Sequence, residues 1–313
     1  MDLYSTNKNK AVQLDSRPFN LEKDIQSLVE NNTQEFFNLE FVSSEFSLNS
    51  FRLDTLCFDQ ENKSFVIIEY KKGRSYSVID QGYSYLSLML NNKSDFILEY
   101  NENKKNNLKR DDIDWASSKV IFISPSFNNY QKTSVNFQDV PFELWEIKRY
   151  SNNMVSLNQH ISSSKESIQK LEGNKNSVID NVSKEVKVFT EEEILKSKKC
   201  DEIIVNTYNE LKEKIMDWED IRFVAKQNYI GIWNKNKAKI YLNIRKNYIR
   251  IHILIRVSYT AEVKKVKNKF IMDDPKKLFA VWKNDYKELY TYDLKNNDDL
   301  DYLVLMMKQK FDS

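Results

Sequence analysis

The stretch FRLDTLCFDQENKSFVIIEYKKG, residues 51–73, constrains the fold more than any other part of the chain. Two apolar runs flank the polar Gln60–Lys63, a length common in β-hairpins. Side chains of a strand alternate between faces, so Phe65, Ile67, Glu69 and Lys71 share one side while Val66, Ile68 and Tyr70 share the other. An acid and a base therefore stand together at the end of a hydrophobic stripe. Burying charge costs several kcal/mol unless it is paired, solvated or bound to an ion. Either the strand end reaches water or something binds there. If Asp59 faces Ser64, antiparallel pairing sets Asp54 directly opposite Glu69, with β-carbons about 5 Å apart. A one-residue slip would undo this arrangement.

Periodicity places the hairpin among other elements. Leu21, Ile25, Leu28 and Val29 recur at helical spacing and predict a helix over 20–37 with Asn20 as N-cap. Strands are expected at 40–47, 51–58 and 64–71, a helix at 77–90, and further strands at 95–100, 119–124 and 142–150. This order predicts an α/β domain over residues 1–155, with a mixed central sheet flanked by helices. Residues 156–195 are polar and poor in aromatics, and read as a linker or arm. Residues 196–313 read as a smaller α+β domain: a helix at 201–218, strands at about 221–225, 228–234, 237–245 and 248–257, and a terminal helix. Only 4 glycines and 4 prolines among 313 residues favour long regular elements. The two cysteines, Cys57 and Cys200, have no metal-ligand spacing, and two lone thiols fit a reducing cytoplasm. No apolar run predicts a signal peptide or membrane span, so a cytoplasmic, membrane-free protein is expected.

Two carboxylates opposed on a sheet repel each other. A divalent cation removes that objection, because hard cations take carboxylate oxygens, a backbone carbonyl and waters. Asp54, Glu69 and the carbonyl of Tyr70 would form such a site for Mg²⁺ or Mn²⁺. Lys71 would orient the attacking water or stabilise charge on a phosphate, a set suited to hydrolysing a phosphodiester. An isolated Glu-x-Lys at a strand end is ordinarily a solvated edge or a surface ion pair. The hairpin register, Asp54 and the flanking helices give it more weight here. His160 and His252 are too isolated for a triad or zinc site, and no glycine-rich phosphate loop occurs.

Asp54 followed, after a short hairpin, by Glu69-Tyr70-Lys71 resembles the PD-(D/E)XK nuclease superfamily over about residues 20–150. The order helix, strand triplet, helix, strand resembles its core, so the resemblance implies a restriction-endonuclease-like sheet. It implies catalytic roles for Asp54, Glu69 and Lys71, an additional acid at Glu22 (with Glu30, two turns on, as the alternative), and Gln81 and Tyr85 as a Gln-x-x-x-Tyr extension. Gln81 would position the site or the nucleic acid and Tyr85 would contact nucleic acid, although both could equally be packing or capping residues. Leu53 stands where the motif has proline. The activity implied is a metal-dependent nuclease, with DNA favoured over RNA; the other reading is a catalytically silent nuclease fold serving as a nucleic-acid-binding or protein-interaction module.

In the C-terminal half, Ile249, Ile251, Ile253, Ile255 and Val257 alternate with Arg250, His252 and Arg256. Arg245 and Lys246 add positive charge, and Tyr229, Trp233, Tyr241 and Tyr248 lie nearby in the predicted sheet. Arg245, Arg250 and Arg256 are therefore candidate nucleic-acid contacts, although a solvated sheet face gives the same alternation. With 48 basic and 46 acidic residues, such binding must come from local charge segregation. This half resembles uncharacterised modules found beside nuclease-like domains, and could equally contact a protein partner or a second copy of the chain in a homodimer.

Overall fold

The computed structural model describes residues 3–72, 77–162, 164, 166, 168, 177–235, 237–256, 270–283 and 287–313. Gly73, Val257, the side chain of Arg256 and much of 163–176, all read above, lie outside the described residues. The chain forms two units, divided between Val188 and Phe189.

In the first unit, an exposed hairpin of β1 (Tyr4–Asn7) and β2 (Lys10–Gln13) leads into the short strand β3 (Ser16–Arg17). The helix expected over 20–37 is two helices, α1 (Glu22–Glu30) and α2 (Thr33–Phe37). Asn31 and Asn32 interrupt it, because their side-chain amides turn back onto the carbonyls of Ser27 and Leu28, both at 2.8 Å. The N-cap is Leu21 rather than Asn20, and its N–H donates to the Asp24 carboxylate at 3.0 Å.

Strands β4 (Glu40–Leu48), β5 (Phe51–Asp59) and β6 (Ser64–Tyr70) follow as an antiparallel meander. The hairpin register is the one read from sequence: Asp59 pairs with Ser64, and the ladder runs to Thr55–Ile68. Helix α3 (Val78–Asn91) has Ser77 as N-cap, its hydroxyl accepting from the Asp80 N–H. Residues 95–100, expected as a strand, lie within helix α4 (Lys93–Lys104). Phe96 and Tyr100, four residues apart, are its buried positions, whereas Leu98 is exposed. Helical spacing thus overrides local strand preference. Strand β7 (Lys119–Ser124), helix α5 (Asn129–Ser134), strands β8 (Phe142–Tyr150) and β9 (Val155–His160), and helix α6 (Ser177–Glu185) complete the unit.

These strands form a seven-stranded mixed sheet in the order β3-β8-β7-β6-β5-β4, with β9 on β8. The β6–β7 and β7–β8 pairs are parallel and the remaining ones antiparallel. The sheet separates two cores. Leu56, Phe58, Phe65 and Ile67 pack with Leu86, Met89, Phe96 and Tyr100 on one face. Cys57, Val66, Ile68 and Tyr70 pack with Ile25, Val29, Phe37 and Trp145 on the other. Each such buried aliphatic or aromatic side chain contributes about 1.5–3 kcal/mol, and every residue of β6 is buried, the polar Ser64 and Glu69 among them.

The described residues of the polar stretch read as a linker belong to this unit as far as Val188. β9 pairs with β8 from Val155–Arg149 to His160–Leu144, and Val182 and Val186 enter the α3-side core. The N–H of Lys187 donates to Ala116 O at 3.0 Å. A few apolar anchors are enough to fold a polar segment onto an existing core.

The second unit holds α7 (Glu191–Ser197), α8 (Glu202–Ile215), β10 (Ile221–Lys226), β11 (Tyr229–Asn234), β12 (Lys237–Ile244), β13 (Ile249–Arg256), β14 (Ala280–Lys283), β15 (Lys287–Leu294) and α9 (Leu300–Phe311). Its antiparallel sheet runs β10-β11-β12-β13-β15-β14. Ile249, Ile251, Ile253 and Ile255 bury one face of β13 with Leu211 and Ile215 of α8 and Leu303 and Met307 of α9. The α+β expectation holds, with α7, β14 and β15 added to it. No helix among the described residues is long and apolar enough to cross a membrane.

Candidate functional site

The ladder between β5 and β6 ends at Thr55–Ile68, which makes Asp54 and Glu69 the next residues in register. Beyond that point the Tyr70 N–H donates to Asp54 Oδ2 at 3.0 Å. The carboxylate thereby takes over a backbone donor at the end of the ladder. On its other side β6 stays in the sheet, with Tyr70 paired to Ile123 and the Lys71 N–H donating to Ile123 O at 2.9 Å.

Glu69 is only 3% exposed. Its Oε1 accepts from Lys71 Nζ at 2.5 Å and from Gln81 Nε2 at 2.8 Å. Its Oε2 is buried and has no hydrogen-bond partner among the described residues. A buried carboxylate oxygen normally finds a donor, so this one calls for an explanation. Burial, and then the neighbouring Glu69, push the Asp54 carboxyl up to about 7. Two carboxylates and one lysine thus converge on the α3 side of the sheet, where the sequence register sets them.

Helix α3 supplies the rest of the wall. Gln81 Nε2 also donates to the Tyr85 hydroxyl at 2.8 Å, so the two residues act on one helix face as their spacing requires. Tyr85 is 6% exposed and its ring packs edge-on against Phe51, with centroids 6.3 Å apart. Burial, with Glu69 alongside, pushes its phenol well above the usual range. Tyr85, read either as a nucleic-acid contact or as a packing residue, backs Gln81 from the interior.

Glu22 does not join the pair through any hydrogen bond described. Its Oε1 accepts the Lys72 N–H at 2.6 Å, and Lys72 Nζ donates to Asn20 O. The first turn of α1 is thereby fastened to the chain leaving Lys71. Glu30 faces the opposite side of the sheet, where Oε1 accepts from Thr55 Oγ1 at 2.7 Å and from Gln26 Nε2 at 2.9 Å.

At the rim, Glu45 lies between the pairs Ser44–Thr55 and Phe46–Leu53, across from Asp54. Its φ of 57° is left-handed, a conformation that costs a non-glycine residue of order 1–3 kcal/mol. Lys23 and Arg52 bind its carboxylate at 3.1 and 2.8 Å. The Lys23 hydrogen bond is the main cause holding the Glu45 carboxyl below its usual range.

Among the described residues no group of three His, Cys, Asp or Glu side chains is arranged to hold a metal. The donor set available is the Asp54 and Glu69 carboxylates with backbone carbonyls and water. In the second unit, Arg245 is exposed, while Arg250 is bound in a bidentate pair by Asp293 at 2.7 and 2.8 Å. Asn243 and His252 Nδ1 lie 3.2 Å apart. Sequence reasoning missed Gln26, a buried polar residue amid the apolar stripe of α1. Its place one turn before Glu30 was the only signal.

No family model matches the chain. It is 37% identical over 316 residues to an uncharacterised protein of Haemophilus influenzae, and the match covers 99% of each chain. The chain belongs to the same family as that protein. Among solved structures, an EndoMS–dsDNA complex is 13% identical with a TM-score of 0.26, covering 47% of this chain and 64% of that one. A repair endonuclease from Pyrococcus abyssi is 13% identical with a TM-score of 0.21, covering 42% of this chain and 59% of that one. The matches span less than two thirds of those two chains, and at these scores neither bears on the chemistry of this protein.

Proposed function

We propose that the protein is a divalent-cation-dependent nuclease that hydrolyses phosphodiester bonds, with DNA as its substrate. The observation that carries this reading is Glu69 Oε2, a buried carboxylate oxygen without a hydrogen-bond partner among the described residues, across the hairpin from a second carboxyl that burial has pushed up to about 7. A cation would satisfy both. Asp54, Glu69 and the Tyr70 carbonyl would hold Mg²⁺ or Mn²⁺, and a set with few protein ligands suits a metal that keeps several waters. Such an ion supplies charge neutralisation at a phosphate and makes water a stronger nucleophile.

The chain's own residues do the remaining work. Lys71 carries a cationic donor beside Glu69, where it would orient the attacking water or stabilise the charge developing on phosphate oxygens. Gln81 keeps Glu69 in place, and the Tyr70 N–H does the same for Asp54. Glu22 holds the backbone that follows Lys71. In the second unit, Arg245, with Arg250 beside it, would grip the nucleic-acid backbone; the Asp293 partner makes Arg250 the weaker contributor of the two.

The test is cleavage of single- and double-stranded DNA and RNA with Mg²⁺, Mn²⁺ or EDTA, by wild type, Asp54→Asn and Lys71→Met. Wild type should cut DNA only with the cation. Lys71→Met should lose at least about 100-fold in rate, within the range general acid–base groups supply, while keeping nucleic-acid binding. Binding without cleavage by wild type would make the protein a binding scaffold.

A further inference from the structure

The carboxylate of Asp54 serves one face of the sheet, but its backbone is held from the other. Gln26 of α1 is 5% exposed. Its Nε2 lies 3.0 Å from Asp54 O, 2.9 Å from Glu30 Oε1 and 3.2 Å from Ser44 Oγ, and its Oε1 accepts from Lys23 Nζ at 3.2 Å. The amide orientation is unambiguous, because a backbone carbonyl and a carboxylate only accept and an ammonium only donates. Glu30 is fixed in turn by Thr55 Oγ1, which lies 3.1 Å from the Tyr70 hydroxyl. One buried polar network therefore touches Asp54 itself and the residues next to Asp54 and Glu69.

Asp54 needs such an anchor. The ladder to β6 stops one residue before it, and the β4 residue across from it is the left-handed Glu45. Backbone carbonyls inside a sheet must find a donor, and here the donor is a side chain from a helix. We propose that Gln26 is a positioning residue for the Asp54–Glu69 site: it fixes the Asp54 backbone from behind the sheet, and thereby the separation of the two carboxylates and their affinity for a divalent cation. The cation part of this proposal rests on the function proposed above; the backbone part does not.

Two measurements on the full chain keep these apart. The first is amide hydrogen exchange without added metal, comparing wild type with Gln26→Met, which keeps the length of the side chain and removes the donor. Exchange at Tyr70, whose N–H is bound to the Asp54 carboxylate, should quicken, while Ile67 and Ile68 stay protected. The second is calorimetric titration with Mn²⁺, where the variant should bind about 10-fold more weakly, the lower end of what outer-shell changes cost. Unchanged exchange at Tyr70, or uniform quickening along β6, overturns the proposal. So does unchanged Mn²⁺ affinity in a variant of a wild type that binds. A wild type that does not bind Mn²⁺ overturns the proposed function and the cation part with it, leaving the exchange result to decide the backbone part. If Gln26→Met does not fold, Gln26→Glu, of nearly the same shape but repelled by Glu30, provides the same comparisons with the same expected outcomes.

Discussion

Asp54 makes the metal-free protein sensitive to pH in a direction opposite to that of an ion-paired carboxylate. Its carboxyl is raised from an ordinary 3.8 to about 7. Between those values the folded chain keeps a proton that the unfolded chain has lost, so stability falls as pH rises from about 4 to 7. Without divalent cations, Asp54→Asn should flatten this part of the profile and melt higher than wild type at pH 8, as thermal denaturation across a pH series would reveal. A wild-type melting temperature that rises across this window would refute the assignment. The hairpin register that makes Asp54 and Glu69 the next residues beyond the Thr55–Ile68 pair was legible in the sequence, because both strands alternate and a polar tetrapeptide fixes the turn. The bond from Gln26 to Asp54 was not. A buried glutamine in α1 gives no sign of which carbonyl it meets, since its partner is 28 residues away and reached only through the tertiary fold.

At the scale of elements, the height of α3 above the sheet decides whether Gln81 reaches Glu69. Gly82 sets that height: a β-carbon there would come within 2.6 Å of the Phe142 ring on β8. Alanine would gain about 1 kcal/mol in helix propensity, but overpacking a core costs about 1–3 kcal/mol. The ring has little room to yield, with Tyr83 at 4.9 Å and Phe122 at 6.1 Å between centroids. Gly82→Ala should therefore lower the melting temperature, and adding Phe142→Leu should recover most of the loss. The strand misread at 95–100 has the same origin as this contact, packing that local patterns do not carry: a Phe-Ile-Leu run suits a strand until Phe96 and Tyr100 find one side of a core. β15 was recoverable, since Tyr290, Tyr292 and Leu294 in KELYTYDL keep a period of two. β9 was not, because its polar residues owe their place to an edge already formed by β8.

For the whole molecule, the division after Val188 changes what a fragment experiment should find. A fragment of residues 1–188 should melt cooperatively by circular dichroism. One ending at 155 lacks most of β9, all of α6 with its core residue Val182, and the core residue Val186 just beyond it, and should melt lower or aggregate. Equal melting of the two fragments would return the boundary to residue 155. If Arg245 grips nucleic acid, residues 1–188 should also bind DNA more weakly than the full chain at low salt, with the difference shrinking as salt rises. The partition of the first unit into two cores, with carboxylates on one side of the sheet and the Gln26 network on the other, has a genetic corollary. A screen for alleles that abolish the protein's effect in cells should return changes in α1 at Gln26 and in β5 at Thr55 alongside changes at Asp54 and Glu69. On the proposed function, the Gln26 and Thr55 alleles would be temperature-sensitive, and the Asp54 and Glu69 alleles would be null at every temperature.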